Sequence, residues 1–221
     1  MDAFAGERDQ TAELASAKAY RGLEKLIVTL ELAPGAVITE RVLIERLSLG
    51  RTPVREAIQR LTWEGLLEVR PRAGIVVAPL NAGDWLRVID ARRGVEIVLA
   101  RSAARFLNAE TATQFQATGV AMHQAVLSND VLGFLEADKS LDEALARAAD
   151  NPFAARVAAP LQTHSRRFWY RFQSGTGLAE SAANHVALIG AILDRDEEQA
   201  GVEADRLMSL LRLHAQAAAM R

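Results

Sequence analysis

Gly50-Arg51-Thr52-Pro53-Val54-Arg55-Glu56-Ala57-Ile58-Gln59-Arg60-Leu61 is the stretch whose reading decides the fold. Thr52 is placed to cap a helix, and Pro53 suits a first helical position, where no N–H is needed. Val54, Ala57, Ile58 and Leu61 fall at 0, +3, +4 and +7, one stripe that a helix buries. Arg51, Arg55, Gln59 and Thr62 lie off that stripe. A packed back with an Arg/Gln/Thr front is the form of a recognition helix. Arginine pairs with phosphate or a guanine edge, and glutamine reads adenine. Most basic helix faces are merely solvated, so the flanking chain has to decide.

Upstream, about Thr11 to Glu31 reads as a helix, with Leu14, Tyr20, Leu23, Leu26, Ile27 and Leu30 on its apolar face. Leu32-Ala33-Pro34-Gly35 ends it. Thr39 is a cap for a second helix, with Leu43 and Leu47 inward, and Ser48-Leu49-Gly50 turns into the third. Downstream, Glu64-Gly65 closes that helix. Leu66–Arg70 and Ile75–Ala78 then read as strands joined by Pro71-Arg72-Ala73-Gly74. Three helices and a β-hairpin with a basic tip make a winged helix-turn-helix over residues 12–80, behind a flexible polar leader over residues 1–11. Arg70 and Arg72 are placed to reach a groove or phosphate.

Pro79–Gly83 carries breaker residues and marks a domain boundary. Residues 81–221 read as helix throughout: about Asp84–Leu107, Ala109–Leu127, Val131–Ala149, Pro152–Gln173, Leu178–Asp194 and Glu197–Met220. The breaks fall at Asn108, Ser128-Asn129-Asp130, Asn151-Pro152 and Ser174-Gly175-Thr176-Gly177. The fold class is therefore mainly α, a winged helix-turn-helix joined to an all-helical bundle of about six helices.

Composition narrows the function. The 221 residues are 50% apolar, enough for one large or two modest domains. No apolar run approaches the ~20 residues of a membrane span, and no secretory signal is visible. The absence of cysteine removes disulfides, thiol catalysis and cysteine-bound zinc. A cytoplasmic, nucleoid-associated protein is expected, with no membrane partner. The net charge of −2 hides a mild division. Residues 12–80 hold ten Lys/Arg against eight Asp/Glu, and residues 81–221 hold fifteen against seventeen, which permits a local basic surface on the first domain.

Function in a helical bundle is found in polar groups on apolar faces. Arg92 has Val88, Ile89 and Val95 a turn away, so something anionic must meet it, whether Glu96 or the carboxylate of a ligand. Asp138 and Asp142 lie four apart beside Phe134, Leu135, Leu141 and Leu145. Two such carboxylates repel unless a metal, a shared proton or Arg92 intervenes. His185 sits inward among Ser181, Leu188, Ile189 and Ile192. His123, His164 and His214 read as surface or packing residues.

Arg51–Ala57, with Leu61, Glu64-Gly65-Leu66 and Gly74, resembles the DNA-binding domain of the GntR family of bacterial transcription regulators, over about Tyr20 to Pro79. The resemblance implies contacts with double-stranded operator DNA at Arg41, Arg51, Thr52, Arg55 and the wing-tip Gly74. Gly50 departs from it, because the family usually carries serine or threonine there. Arg92-x-x-Val95-Glu96, Asp138-x-x-x-Asp142, Asn184-His185 and Ala191-Ile192 before Asp196 and Ala200 resemble the FCD effector domain of the FadR branch, across most of Asp84 to Gln216. That domain typically holds a small organic acid beside a divalent metal bound by one aspartate and three histidines. Asp138 and His185 match two of the four positions; Asp142 and Leu207 stand where histidines are expected. Either Asp138, Asp142 and His185 form an incomplete, oxygen-rich site for a divalent metal, or no metal binds and Arg92 neutralises the aspartates or grips an acid directly.

The expectation is a ligand-responsive, DNA-binding transcription regulator, preferably a repressor. It would be a homodimer on a palindromic operator, with a small carboxylic-acid effector held by Arg92, and it would not be an enzyme. Two alternatives stand beside it. The missing histidine at Leu207 suggests a constitutive DNA-binding dimer that has lost sensing. Asp138, Asp142 and His185 could also activate metal-bound water in a hydrolase, although no nucleophile motif or HExxH-type pair accompanies them.

Overall fold

The computed structural model describes residues 3–173 and 177–220, with side chains from Leu14 onwards. The chain divides into two compact units, Met1–Leu80 and Asn81–Arg221.

The first unit holds α1 (Ala3–Val28), β1 (Val37–Ile38), α2 (Glu40–Leu47), α3 (Arg51–Trp63), β2 (Leu67–Arg70) and β3 (Gly74–Val77). Its core is the set the periodicity selects: Leu23 and Ile27 of α1, Leu43 of α2, and Val54, Ala57, Ile58 and Leu61 of α3 meet Leu66, Leu67, Ile75 and Val77. Each fully buried Leu or Ile contributes roughly 1.5–3 kcal/mol. Helix α1 begins at Ala3, so residues 3–11 of the stretch read as a leader are helical; no proline interrupts them. It ends at Val28, where Leu30 turns to φ 59 and the Leu32 N–H donates to the Leu26 carbonyl at 2.9 Å. Thr39 caps α2, accepting from the Val42 N–H. Ser48, at φ 53, supplies the left-handed residue that turns α2 into α3.

Two details differ from the sequence reading. The cap of α3 is Gly50 rather than Thr52, and it makes no side-chain cap bond. Pro53 is then the third helical residue, still among the positions whose N–H has no intrahelical partner. The sheet also has three strands, in the order β1-β3-β2 and all antiparallel. Val37↔Val76 and Ile38↔Ile75 pair on one side of β3, and Leu67↔Val77 through Arg70↔Gly74 on the other. Gly74 opens β3 at φ 112, and a Cβ there would come within 2.9 Å of the Ile38 carbonyl oxygen. Only glycine fits that seam. Trp63, the last residue of α3, is 92% exposed.

The second unit is a bundle of α4 (Ala82–Phe106), α5 (Ala109–Ser128), α6 (Val131–Ala148), α7 (Pro152–Phe172), α8 (Gly177–Leu193) and α9 (Glu197–Ala219). These bounds agree with the sequence reading to within about two residues. The cause is visible at the caps. Asn108 and Thr111 form a capping box, while Asp130, Asn151 and Asp196 each accept a backbone N–H three residues on. Asn129 and Arg195 take the left-handed conformation that reverses the chain. Of the break read at Ser174-Gly175-Thr176-Gly177, residues 174–176 lie outside the described residues, and Gly177 already opens α8. Helix α4 packs against α9, α7, α6 and α8, so its inward side chains meet polar groups from several helices at once. Trp85, fully buried on α4, stacks on Phe168 and Phe172 of α7.

Candidate DNA interface and buried polar cluster

In the first unit, the buried stripe of α3 leaves Arg51, Thr52, Arg55 and Gln59 exposed on the opposite face. Glu40, the first residue of α2, meets both arginines: its two carboxylate oxygens lie 3.3 Å from Arg51 Nε and 2.7 Å from Arg55 Nε. One carboxylate thus sets the spacing of two guanidinium groups across the turn. Arg41, on α2, lies 3.4 Å from Glu45 and is otherwise open to solvent. Exposed pairs of this kind are worth about 0–1 kcal/mol, too little to keep an arginine from a phosphate. Thr62, read as part of the front, is half-buried and donates its hydroxyl to the Ile58 carbonyl. The Gly50 cap supplies no side-chain acceptor to the first N–H groups of α3, a helix end whose dipole favours an anion. At the wing, Arg72 sits at φ 66 on the exposed tip, and Arg70 pairs with Glu68 at 2.8 Å. Gly74 lies at the start of β3 rather than at the outermost tip.

In the second unit, several of the inward polar residues come together. Arg92 on α4 donates from Nε to Glu96 at 2.6 Å, and Gln162 of α7 donates to the same oxygen at 3.0 Å. Another Arg92 nitrogen lies 3.7 Å from Asp142. Asp138 and Asp142, one turn apart on α6, both face Arg166 of α7. Its Nη1 is hydrogen-bonded to Asp142 Oδ2 and lies 3.6 Å from Asp138 Oδ2. The Arg166 Nη2 donates to Thr163 Oγ1 at 3.1 Å. His185 of α8 places Nε2 2.8 Å from Asp138 Oδ1 and Nδ1 2.6 Å from the Ser181 carbonyl. A carbonyl oxygen only accepts, and so does a carboxylate, so both ring nitrogens donate and the imidazole carries its charge.

Within this cluster three buried cationic groups, Arg92, Arg166 and His185, stand among the carboxyl groups of Glu96, Asp138 and Asp142. Burial works to raise the Asp138 carboxyl, but the hydrogen bond and charge of His185, with Arg166 and Arg92, hold it well below the usual carboxylate range. Burial also opposes the His185 imidazolium, yet Asp138 raises its pKa above the ordinary histidine value. Asp142 moves the other way. Burial and the neighbouring Asp138 push its carboxyl up, against the pull of Arg166 and Arg92. A cavity of about 20 Å³ opens beside the cluster, lined in part by Arg92, Arg166, His185, Phe134 and Trp169. That is room for a water or two.

Asp138, Asp142 and His185 are thus brought together, but as partners of Arg166 and of one another. Among the described residues, no group of three or more His, Cys, Asp or Glu converges as metal ligands would. The imidazole has no lone pair free for a metal in this arrangement, and a guanidinium lies between the carboxylates. Leu207, at the fourth position, is buried on α9. His214 lies 3.5 Å from Glu180, away from this cavity's lining.

The family model described as bacterial regulatory proteins, gntR family, matches residues 15–77, and the FCD domain model matches residues 87–210. The chain is a GntR-family regulator with an FCD domain. It is a DNA-binding transcription regulator of winged-helix and helical-bundle type, not an enzyme. Among its relatives, an HTH-type transcriptional regulator from the TAR-I ttuE-ttuC' intergenic region of Agrobacterium vitis is 30% identical over 149 residues, covering 66% of this chain and 86% of that one. A probable D-xylose utilization operon transcriptional repressor of Paenarthrobacter nicotinovorans is 26% identical over 200 residues, 90% of this chain and 87% of the relative. The solved structure of E. coli McbR/YncC superposes with a TM-score of 0.74 at 20% identity, over 88% of this chain and 93% of that one. The last likeness concerns the fold alone. Among the described residues, no helix is long and apolar enough to cross a membrane.

Glu40 and Arg166 were absent from the sequence reading. Glu40 finds its partners across a turn, which no local period reveals. Arg166 had a signal: Ala158, Gln162, Arg166 and Trp169 recur at 0, +4, +8 and +11, an inward stripe on α7 on which the arginine is as misplaced as Arg92 is on α4.

Proposed function

We propose that this GntR-family chain is a homodimeric repressor of the bacterial cytoplasm, placing two α3 helices on a palindromic operator and changing its operator affinity when a small carboxylic acid enters the bundle. The observation that carries the DNA half is the pair of exposed arginines, Arg51 and Arg55, braced by the one carboxylate of Glu40 on the open face of α3. Arg41, Thr52 and the wing around Arg72 and Gly74 add phosphate and groove contacts on either side. Repression is supported by the Paenarthrobacter relative, a probable transcriptional repressor.

The effector half is supported by the cavity beside Arg92, Arg166 and His185, where cationic groups stand among aromatic walls. An organic acid is larger than the cavity, so it enters only as side chains move aside and carboxylates yield their arginines to it. Binding that requires such a rearrangement selects one conformation of the bundle, which is how an effector shifts an equilibrium. Anisotropy of a labelled operator fragment, titrated in the presence of small carboxylic acids, tests the whole reading. An acid should change operator affinity in the wild type and not in Arg92→Ala. The buried Leu207 favours a second reading, a constitutive dimer, and operator affinity indifferent to every acid would select it.

A further inference from the structure

We propose that Arg166 is a built-in cation that takes the place of a divalent metal between Asp138 and Asp142, leaving the bundle closed to metal ions. Helix α6 carries both aspartates on its buried face. Two carboxyl groups one helical turn apart, both buried, share an apolar face only if a proton or a cation offsets their repulsion. The chain supplies a cation from another helix. Arg166 of α7 directs one nitrogen, Nη1, at both aspartates, and Thr163 fixes the second nitrogen by accepting from Nη2 at 3.1 Å. Thr163 is itself anchored, donating to the Ala159 carbonyl at 3.2 Å. The guanidinium is therefore held by its own helix and is not a surface side chain folded inward.

The remaining partners agree with this assignment. The nitrogens of His185 are directed at the Asp138 carboxylate and the Ser181 carbonyl, so the imidazole is a donor on both sides and serves Asp138 as a second cation. Asp142 also has Arg92 at 3.7 Å. Around the two aspartates stand Arg166, His185 and Arg92, and a divalent ion placed among them would face three like charges at close range. A metal needs deprotonated, uncommitted ligands, and the aspartates here are already engaged. The inference concerns Arg166 alone and stands whether or not the cavity takes a carboxylate.

The test is equilibrium dialysis of the full-length protein, stripped by chelator, against Mn2+ and separately against Zn2+, with melting curves on the same samples. The wild type should retain no stoichiometric ion, and its melting temperature should be indifferent to chelator. Arg166→Ala should gain one ion per chain and melt higher with the ion than without it. Adding Asp138→Asn to that variant should remove the gained ion, which separates the cluster from surface sites. Arg166→Lys keeps a positive charge in place and should stay closed. A wild-type ion that Asp138→Asn removes would overturn the proposal. So would an Arg166→Ala protein that is folded by circular dichroism yet takes up no more metal than the wild type. If Arg166→Ala does not fold, Arg166→Gln is read in the same way, and the wild-type measurement still decides against the proposal if it shows the ion.

Discussion

Single side chains decide what this regulator touches. Arg55 stands on the open face of α3 with only the half-buried Glu40 carboxylate as partner, so replacing it by alanine removes little from the fold. If it reads a base, Arg55→Ala weakens operator binding by about 1–3 kcal/mol, measured by anisotropy at fixed salt; an unaltered affinity removes it from the interface. Gly74→Ala acts differently. At φ 112, with the Ile38 carbonyl oxygen 2.9 Å from a new Cβ, it strains the β1–β3 seam and costs at least ~1–3 kcal/mol. Its melting temperature should fall together with its DNA affinity, whereas a pure contact residue would lose only the second. The buried cluster sets a pH dependence. His185 is raised in the folded state, so its contribution is whole below its unfolded value and is lost as pH rises through the folded one. Asp142 is raised too, so the folded state again binds the proton more tightly and stability again falls with rising pH. Asp138, held low, loses its contribution only in acid, below the unfolded carboxylate range. Between about pH 5 and pH 8 the bundle should therefore melt lower as pH rises, by roughly 2–4 °C for each kcal/mol of linkage. A melting temperature that climbs over that range contradicts the assignment.

At the scale of elements, how much could be read from sequence followed from how local each signal was. The bundle helices were legible because each carries its own stop and start, such as Asn108 with Thr111 or Asp130 after the left-handed Asn129. The back of α3 was legible from a single period. Its N-terminus was misassigned because Thr52 and Pro53 carry cap-like chemistry, while the residue that takes the extended cap conformation is Gly50. The two-residue β1 has no period to read; it exists only because β3 offers an edge. At the candidate site, Arg92, Asp138, Asp142 and His185 were found by their polarity on apolar stripes. Arg166 was lost in the run Ser165-Arg166-Arg167, where two adjacent arginines read as a solvated basic pair although both are buried. Helix α7 also carries Pro160 in its interior. A proline there lacks an N–H and crowds the preceding turn, at a cost of up to ~3 kcal/mol. Pro160→Ala should raise the melting temperature of the bundle. A variant that is no more stable would mean that the proline is fully accommodated.

For the whole molecule, the proposed repression requires two copies of the chain on one operator. Sedimentation at micromolar concentration should give twice the chain mass of 24.0 kDa; a monomer removes the two-head reading. An acid that binds the folded bundle must also stabilise it by mass action, by ~2.7 kcal/mol at a hundredfold excess over its Kd. That shift should persist after chelation, as the buried guanidinium requires. A shift seen only with added metal would remove Arg166 from its assigned place.

The three tryptophans fall where they separate these events. Trp63 ends α3 and is almost wholly exposed, Trp85 is sealed inside α4, and Trp169 lines the bundle cavity. A soluble quencher therefore reaches Trp63 and leaves the other two alone. The chain carries its own pair of optical reporters: quenchable emission would report on the head, and the protected emission on the bundle. With Trp63→Phe as the control, one cuvette can record whether ligand entry precedes release from DNA.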